Sequence, residues 1–171
     1  MANPVFDAAR TVLAVREFQD KAIPHEVMRR VVEAAHLTAS AGNRQPWHFV
    51  LVEKRDSLRE LGGLVRTAPY IAASAAAVIV AVEKSTAKAD IDAARAIQSM
   101  ILTAWAEGLG SNWTGFGGLE GVRQWAGLPD TYDVLAVLPF GYPKRKLGKG
   151  KKKRKPLADV ASAERFGNPI A

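Results

Sequence analysis

Residues 40–47 form the segment whose residue types and spacing are best suited to hold a ligand. They read Ser-Ala-Gly-Asn-Arg-Gln-Pro-Trp and lie between a stretch with helical periodicity and a continuous apolar run. The small residues let backbone amides approach a bound molecule, Asn43 and Gln45 offer side-chain donors and acceptors, and Pro46 fixes the chain before Trp47. One interpretation is a ligand-binding loop. The other is an ordinary helix-to-strand connection, because Gly, Asn and Pro occur in turns of every kind.

Side chains that could act as acids, bases or nucleophiles are few. The chain has no cysteine, which excludes thiol nucleophiles, disulfides and thiolate zinc sites. His25, His36 and His48 do not show metal-ligand spacing, and Asp90 and Asp92 are expected on different faces of a helix start. We therefore predict no catalytic side chain and no metal site. A cofactor-dependent redox enzyme needs neither, because the cofactor carries out the chemistry and the protein positions it.

The positive charge of the chain is confined to one segment. The formal net charge is +7, but nine of the 24 Lys and Arg residues lie in residues 144–155, which contain no acid. The remainder has 15 basic and 17 acidic residues, a balance of −2. The basic segment also lacks aromatic residues, whereas proteins that bind single-stranded nucleic acid usually combine cations with stacking rings. A phosphate group on a small ligand is therefore the expected partner, and a nucleic-acid role is disfavoured.

Length and hydropathy predict one domain without a membrane segment. A chain of 171 residues with 48% hydrophobic content can bury roughly 70% of its unfolded surface in a single core. The amino terminus carries no basic and apolar leader, and the most apolar run, residues 71–82, is too short to span a bilayer. We expect a cytoplasmic protein.

Periodicity and turn residues predict alternating helices and strands. Helices are expected from Asn3 and Pro4, from Pro24, and over residues 56–64, 90–107 and 119–126, and strands over residues 48–52, 75–82 and 134–140. The two strands 48–52 and 75–82 are continuous apolar runs, as expected for strands covered on both faces. Because two helices precede the first strand, the order predicts an α+β sandwich. Helix 90–107 is apolar around more than half of its circumference, so it must be buried on two sides.

Five short motifs, in order, resemble the FMN-dependent nitroreductase family. The first is Arg16-Glu17-Phe18 followed by Ile23-Pro24, near the amino terminus, and the second is residues 40–47. The third and fourth are the long helix within residues 93–110 and the turn that ends it, at residues 108–113. The fifth is Gly141-Tyr142-Pro143 together with residues 154–157. The resemblance, to the short actinobacterial-type members, implies a three-layer α/β/α sandwich with a mixed central sheet. It implies that residues 1–143 form a single domain. The carboxy-terminal segment 144–171, which begins with the basic segment, is expected to be part of the same domain and to lie on the phosphate side of the flavin. It also implies a homodimer, with helix 90–107 in much of the interface.

The family's activity and site carry over as expectations. The resemblance implies hydride transfer from NAD(P)H to FMN and then to a quinone, a nitroaromatic compound or a similar acceptor. Arg16 corresponds to the cation at the pyrimidine edge of the flavin, and residues 113–115 lie along the other side of the ring. The full set of expected cofactor-binding residues is Arg16, Ser40, Ala41, Asn43, Gln45, Trp113, Thr114, Gly115, Lys152 and Arg154.

The sequence departs from the family where the phosphate should bind. The family opening supplies an Arg and a Ser to the phosphate, whereas the matching region here reads Val12-Leu13-Ala14. Arg10 and the run of residues 151–154 are candidate replacements, since Lys152 and Arg154 have the family's Lys-x-Arg spacing. Two alternatives stay open: a protein that binds a deazaflavin or another flavin form, and a non-redox protein whose basic segment binds a polyanion.

Overall fold

The structure is a computed structural model that describes residues 3–115, 117, 119–145, 147 and 152–170. In this part of the chain there are five α-helices: α1 (Pro4–Thr11), α2 (His25–His36), α3 (Arg55–Leu64), α4 (Ala89–Ala106) and α5 (Glu120–Trp125). Its four strands are β1 (Trp47–Val52), β2 (Ala76–Glu83), β3 (Gly110–Ser111) and β4 (Tyr132–Gly141). Every helix and strand predicted from the sequence is present, and β3 is an addition. None of the helices in the described ranges combines the length and hydropathy that a bilayer span requires.

The helix start at Asn3 and Pro4 follows the predicted chemistry. The Asn3 side-chain oxygen accepts a hydrogen bond from the Phe6 N–H at 3.0 Å, which satisfies one of the amides that a helix start leaves without a partner. Pro4 occupies the first helical position, where its missing N–H costs nothing. Helix α1 therefore begins where its sequence directs and ends at Thr11, just before the entry segment, which we define as residues 12–18.

The sheet has the strand order β1-β2-β4-β3, and every pair of neighbours is antiparallel. Strand β2 lies between two partners, and its residues from Ala76 to Val82 are all buried, which explains its continuous apolar sequence. Parallel pairing among the described residues is limited to an isolated bridge between Ala14 and Ser111. The expectation of a mixed sheet is therefore corrected: the four described strands form an antiparallel sheet.

Helices cover both faces of the sheet. Alternate β2 residues point to opposite sides, so Val78 and Val80 pack into one core with α2 and α4. Ile79 faces the other way and packs with α3 and α5 in a second core. Three layers, helix, sheet and helix, result, which confirms the predicted α+β sandwich.

Two glycines bring the entry segment against the sheet. A Cβ atom at Gly110 in β3 would overlap the side chain of Val15, and one at Gly141 would lie 2.6 Å from the Phe18 ring. Because neither glycine carries a side chain, Val15 and Phe18 can pack directly on the strand ends. This close packing fixes the backbone on both sides of Arg16.

Candidate functional site

A cleft of about 360 Å³ opens between the entry segment and the chain that follows β4. The Val15 N–H donates to the Ser111 carbonyl at 2.9 Å, and the Lys144 N–H donates to the Glu17 carbonyl at 3.0 Å, so both walls are held by backbone hydrogen bonds. The lining residues are Ala14, Val15, Arg16, Glu17, Pro143, Lys144, Arg145 and Leu147. A second cleft of about 370 Å³ adjoins it and shares Pro143, Arg145 and Leu147.

Arg16 is one of three cationic side chains that line this cleft, the others being Lys144 and Arg145. Its side chain is exposed, whereas the neighbouring Val15 and Phe18 are buried and anchor the segment. The adjacent carboxylate, Glu17, lies 3.5 Å from Arg145 and therefore has another cation beside it. Arg16 is thus presented to solvent at the cleft from a rigid backbone, as an anionic or electron-rich ligand edge would require.

Residues 113–115 are not among the residues that line either cleft, and Thr114 is fully engaged within the chain. Its N–H and carbonyl pair with Val137 at 3.2 and 3.1 Å, and its hydroxyl donates to the Val137 carbonyl at 2.7 Å. Trp113 is half-buried against the first core, and Gly115 is buried with a φ of +85°. The backbone N–H and the hydroxyl of Thr114 are therefore taken up within the chain and are not available to a ligand.

Residues 40–45, which we call the ligand loop, form a closed and strained turn. Gly42, Asn43 and Gln45 all have positive φ angles, of 59°, 54° and 51°. The Ser40 hydroxyl accepts from the Gln45 N–H at 2.9 Å, and the Gln45 side chain donates to the Asn43 carbonyl at 3.1 Å. A positive φ at a non-glycine residue raises the conformational free energy by about 1 kcal/mol. Contacts with the surrounding structure must therefore stabilise this turn. Residues 41–45 are exposed, which leaves their surface open to a ligand.

The ligand loop and Arg16 lie at opposite ends of α4 within one chain. The Ala41 N–H donates to Asp92 in the first turn of α4 at 2.9 Å. At the other end, the indole N–H of Trp105 donates to Thr11 at 2.9 Å, and β3 follows directly and pairs with the entry segment. Asp92 and Trp105 are separated by about 20 Å along the helix axis at 1.5 Å per residue. The predicted site residues therefore form two groups, not one.

The basic segment returns to the same side of the molecule as the entry segment. The Lys152 ammonium donates to the Ala9 carbonyl at 2.6 Å, which places it beside α1. Burial, with a smaller contribution from the positive charge of Arg154, holds the pKa of Lys152 below its ordinary value. Arg154 is exposed, and Arg10 forms an ion pair with Asp7 at 2.9 Å. Lys151 and the basic positions 146 and 149 lie outside the described residues.

The three histidines lie apart from this site. His25 is exposed and contacts Glu53 at 2.8 Å, His36 is exposed at the end of α2, and His48 lies on β1 facing Tyr132. No group of metal-binding side chains occurs among the residues that the structure describes.

Sequence reasoning missed Asp92. It treated Asp92 and Asp90 as a pair of helix-start acids on different faces, yet Asp92 is buried while Asp90 is exposed. Helical periodicity carries a usable signal, because Asp92 shares the buried face of α4 with Ala93, Ala96 and Met100.

Comparison with known proteins agrees with this architecture. A sequence model of the nitroreductase family matches residues 10–81 and 63–142. A protein of Methanothermobacter thermautotrophicus, provisionally named NADH dehydrogenase/NAD(P)H nitroreductase, is 32% identical over 153 residues, covering 81% of this chain and 77% of the relative. A relative of the same name in Archaeoglobus fulgidus is 29% identical over 140 residues, covering 77% of this chain and 80% of the relative.

Solved structures show the same fold. A Bacteroides thetaiotaomicron protein of that name superposes with a TM-score of 0.88 at 26% identity, covering 97% of this chain and all of the other. A nitroreductase-type protein of Desulfovibrio desulfuricans, crystallised with FMN, superposes with a TM-score of 0.83 at 26% identity, covering 97% of this chain and 99% of the other. The resemblance inferred from the five motifs is confirmed. This chain belongs to the nitroreductase family.

Proposed function

We propose that this chain is an FMN-dependent oxidoreductase that passes a hydride from NAD(P)H through FMN to a small acceptor such as a quinone or a nitroaromatic compound. The observation that carries the proposal is the exposed Arg16, held rigidly in a cleft between the entry segment and the end of β4. The names of the archaeal relatives and the FMN complex of the Desulfovibrio desulfuricans relative support the same activity and cofactor.

The residues present fit FMN. Arg16 would place a positive charge at the pyrimidine edge of the ring, and the resemblance to the family assigns Trp113 and Gly115 to one of its sides. The exposed ligand loop of a second copy of the chain would cover another part of the ring. FMN supplies the hydride chemistry when bound, which the side chains of this chain do not provide. The protein binds and orients the ring, and it sets the charge that the ring experiences.

The phosphate is held, in this proposal, by the basic segment. Residues Val12, Leu13 and Ala14 offer no side-chain donor to an anion. Lys152 lies beside α1 through its contact with Ala9, and Arg154 is close enough to influence its pKa. We therefore assign both to the phosphate and treat segment 144–171 as part of the same domain as residues 1–143.

A homodimer would complete the site. The ligand loop contacts α4 at Asp92, and Trp105, about 20 Å further along the helix, contacts Thr11 just before the entry segment. The ligand loop and Arg16 of one chain would therefore not meet at one flavin ring, whereas a second copy can bring its loop to the first copy's Arg16. Ile91 on α4 is 56% exposed, and further uncovered apolar residues lie on α1 and in the carboxy-terminal segment. They include Val5, Phe6, Leu157, Val160 and Phe166. A partner copy would bury such surface.

The proposed use of NAD(P)H as the electron donor fits a cytoplasmic location.

A second candidate rests on the exposure of the basic segment. Lys153, Arg154 and Lys155 are all exposed, as a polyanion-binding segment requires. Under this alternative, the segment would act independently of any flavin.

Titration with FMN and riboflavin tests the proposed function. We expect FMN to bind with quenched fluorescence and paired visible absorbance bands, and the loaded protein to oxidise NADH or NADPH when a quinone is added. The measurement that contradicts the proposal is an absence of binding to both flavins. Binding of an oligonucleotide without flavin binding would favour the polyanion alternative.

A further inference from the structure

Asp92 is a buried carboxylate that none of the expected site roles explains. It lies in the first turn of α4 and is 5% exposed. One carboxylate oxygen accepts from the Ala41 N–H at 2.9 Å, and the other lies 3.5 Å from the Arg95 guanidinium. Burying a carboxylate is costly, and here the Ala41 hydrogen bond, the Arg95 charge and the amino-terminal end of the helix dipole offset that cost.

The Asp92 contact is the anchor of the ligand loop. The other hydrogen bonds of residues 40–45 join the loop to itself or to Trp47, two residues beyond its end. Among the described residues, the bond from Ala41 to Asp92 is the one hydrogen bond that ties these six residues to a part of the fold distant in sequence. Since three of the six have positive φ angles, the loop depends on an external contact to stay in this conformation.

We propose that Asp92 is a positioning residue for flavin binding: its carboxylate holds Ala41 and thereby keeps the ligand loop in the conformation that contacts the ring. This inference rests on the proposed function. Without the anchor, residues 42–45 relax toward negative φ angles, and the loop must be ordered again each time a flavin binds. That ordering reduces the affinity, because only the correctly shaped fraction of the protein binds.

Three variants test this role. Asp92→Ala removes the acceptor, Asp92→Asn keeps an acceptor oxygen without the charge, and Asp90→Asn is a matched control at an exposed position in the same helical turn. We expect Asp92→Ala to weaken FMN binding at least tenfold, in line with the loss of one charge-assisted hydrogen bond. Asp92→Asn should retain an affinity within about threefold of wild type, and the control should bind FMN like wild type.

Two readouts distinguish positioning from a purely structural role. The melting temperature of the FMN-free protein reports fold stability, and the FMN dissociation constant reports the loop. A lower melting temperature in Asp92→Ala with wild-type FMN affinity would overturn the proposal. A loss of affinity that Asp92→Asn restores would support it.

Hydrogen exchange in the FMN-free wild-type protein needs no variant and no flavin. The proposal requires the Ala41 amide to be protected and the neighbouring Gly42 amide to exchange faster. Exchange of Ala41 at the rate of an unstructured amide would overturn the anchor, even if Asp92→Ala fails to fold. If instead Ala41 is protected but wild type binds no flavin, the proposed function fails and the anchor itself stands.

Discussion

The double substitution of Lys152 and Arg154 by Ala should remove much of the protein's preference for FMN over riboflavin. The two flavins share the ring and the ribityl chain, and only FMN has a phosphate that the two cations could bind. Lys152 is half-buried beside Ala9, and Arg154 is exposed and partly screened by solvent. We therefore expect the two side chains together to contribute about 2 kcal/mol to the free energy of phosphate binding. This is less than the sum for two charged hydrogen bonds that are fully shielded from water. This corresponds to a loss of roughly 30-fold in FMN affinity.

The assay is a fluorescence titration of each flavin against wild type and variant at fixed salt. Replacing the exposed neighbours Lys153 and Lys155 with Ala provides a matched control, because it removes the same charge from the same segment. We expect riboflavin affinity to change by less than threefold in both double variants. An FMN preference that survives in the Lys152 and Arg154 variant would refute the phosphate assignment.

The same two variants separate the flavin role from the polyanion alternative. If the segment serves nucleic acid, both should leave flavin affinities unchanged. Each should then reduce the salt dependence of oligonucleotide binding by about one unit per lost phosphate contact.

Four further outcomes are expected. Arg16→Ala should lower the two-electron reduction potential of bound FMN by about 30 mV, which corresponds to about 1.4 kcal/mol, and an unchanged potential in spectroelectrochemistry would place Arg16 outside the site. Gly110→Ala should lower the free energy of unfolding in urea by roughly 1 to 3 kcal/mol, since its methyl group overlaps Val15, and wild-type stability would contradict that packing. Light scattering of the FMN-loaded protein should show a dimer, and a stable flavin-bound monomer would refute the shared site. FMN affinity should fall as rising pH deprotonates Lys152, and because the pKa of Lys152 is lowered, this fall should begin at a lower pH than for an ordinary lysine. Lys152→Arg should remove this pH dependence, because arginine keeps its proton.

Local signals predicted the helices and long strands because their determinants are close in sequence. Asn3 and Pro4 specify the start of α1 by themselves, and the apolar run of β2 reflects burial on both faces. By contrast, β3 has two residues and exists through its pairing with β4, from Gly110 to Gly141. No local pattern encodes a pairing between such distant residues.

The sequence suggests candidate residues for the site but not their arrangement. The sequence predicts that the ligand loop and Arg16 contact the flavin, yet only the fold shows that α4 separates them. The anchor at Asp92 was missed because its partner, Ala41, is distant in sequence and the contact uses a backbone N–H, which leaves no residue-type signature. The engagement of Thr114 with Val137 was hidden for the same reason.

Anaerobic reduction tests the central claim most directly. Protein loaded with FMN and freed of excess flavin is mixed with NADH or NADPH without oxygen, and its visible absorbance is followed. The proposed function predicts that the flavin bands bleach with one equivalent of either donor and return when a quinone is added. Bound FMN that keeps its oxidised spectrum with both donors would contradict the assignment of this chain as an NAD(P)H oxidoreductase.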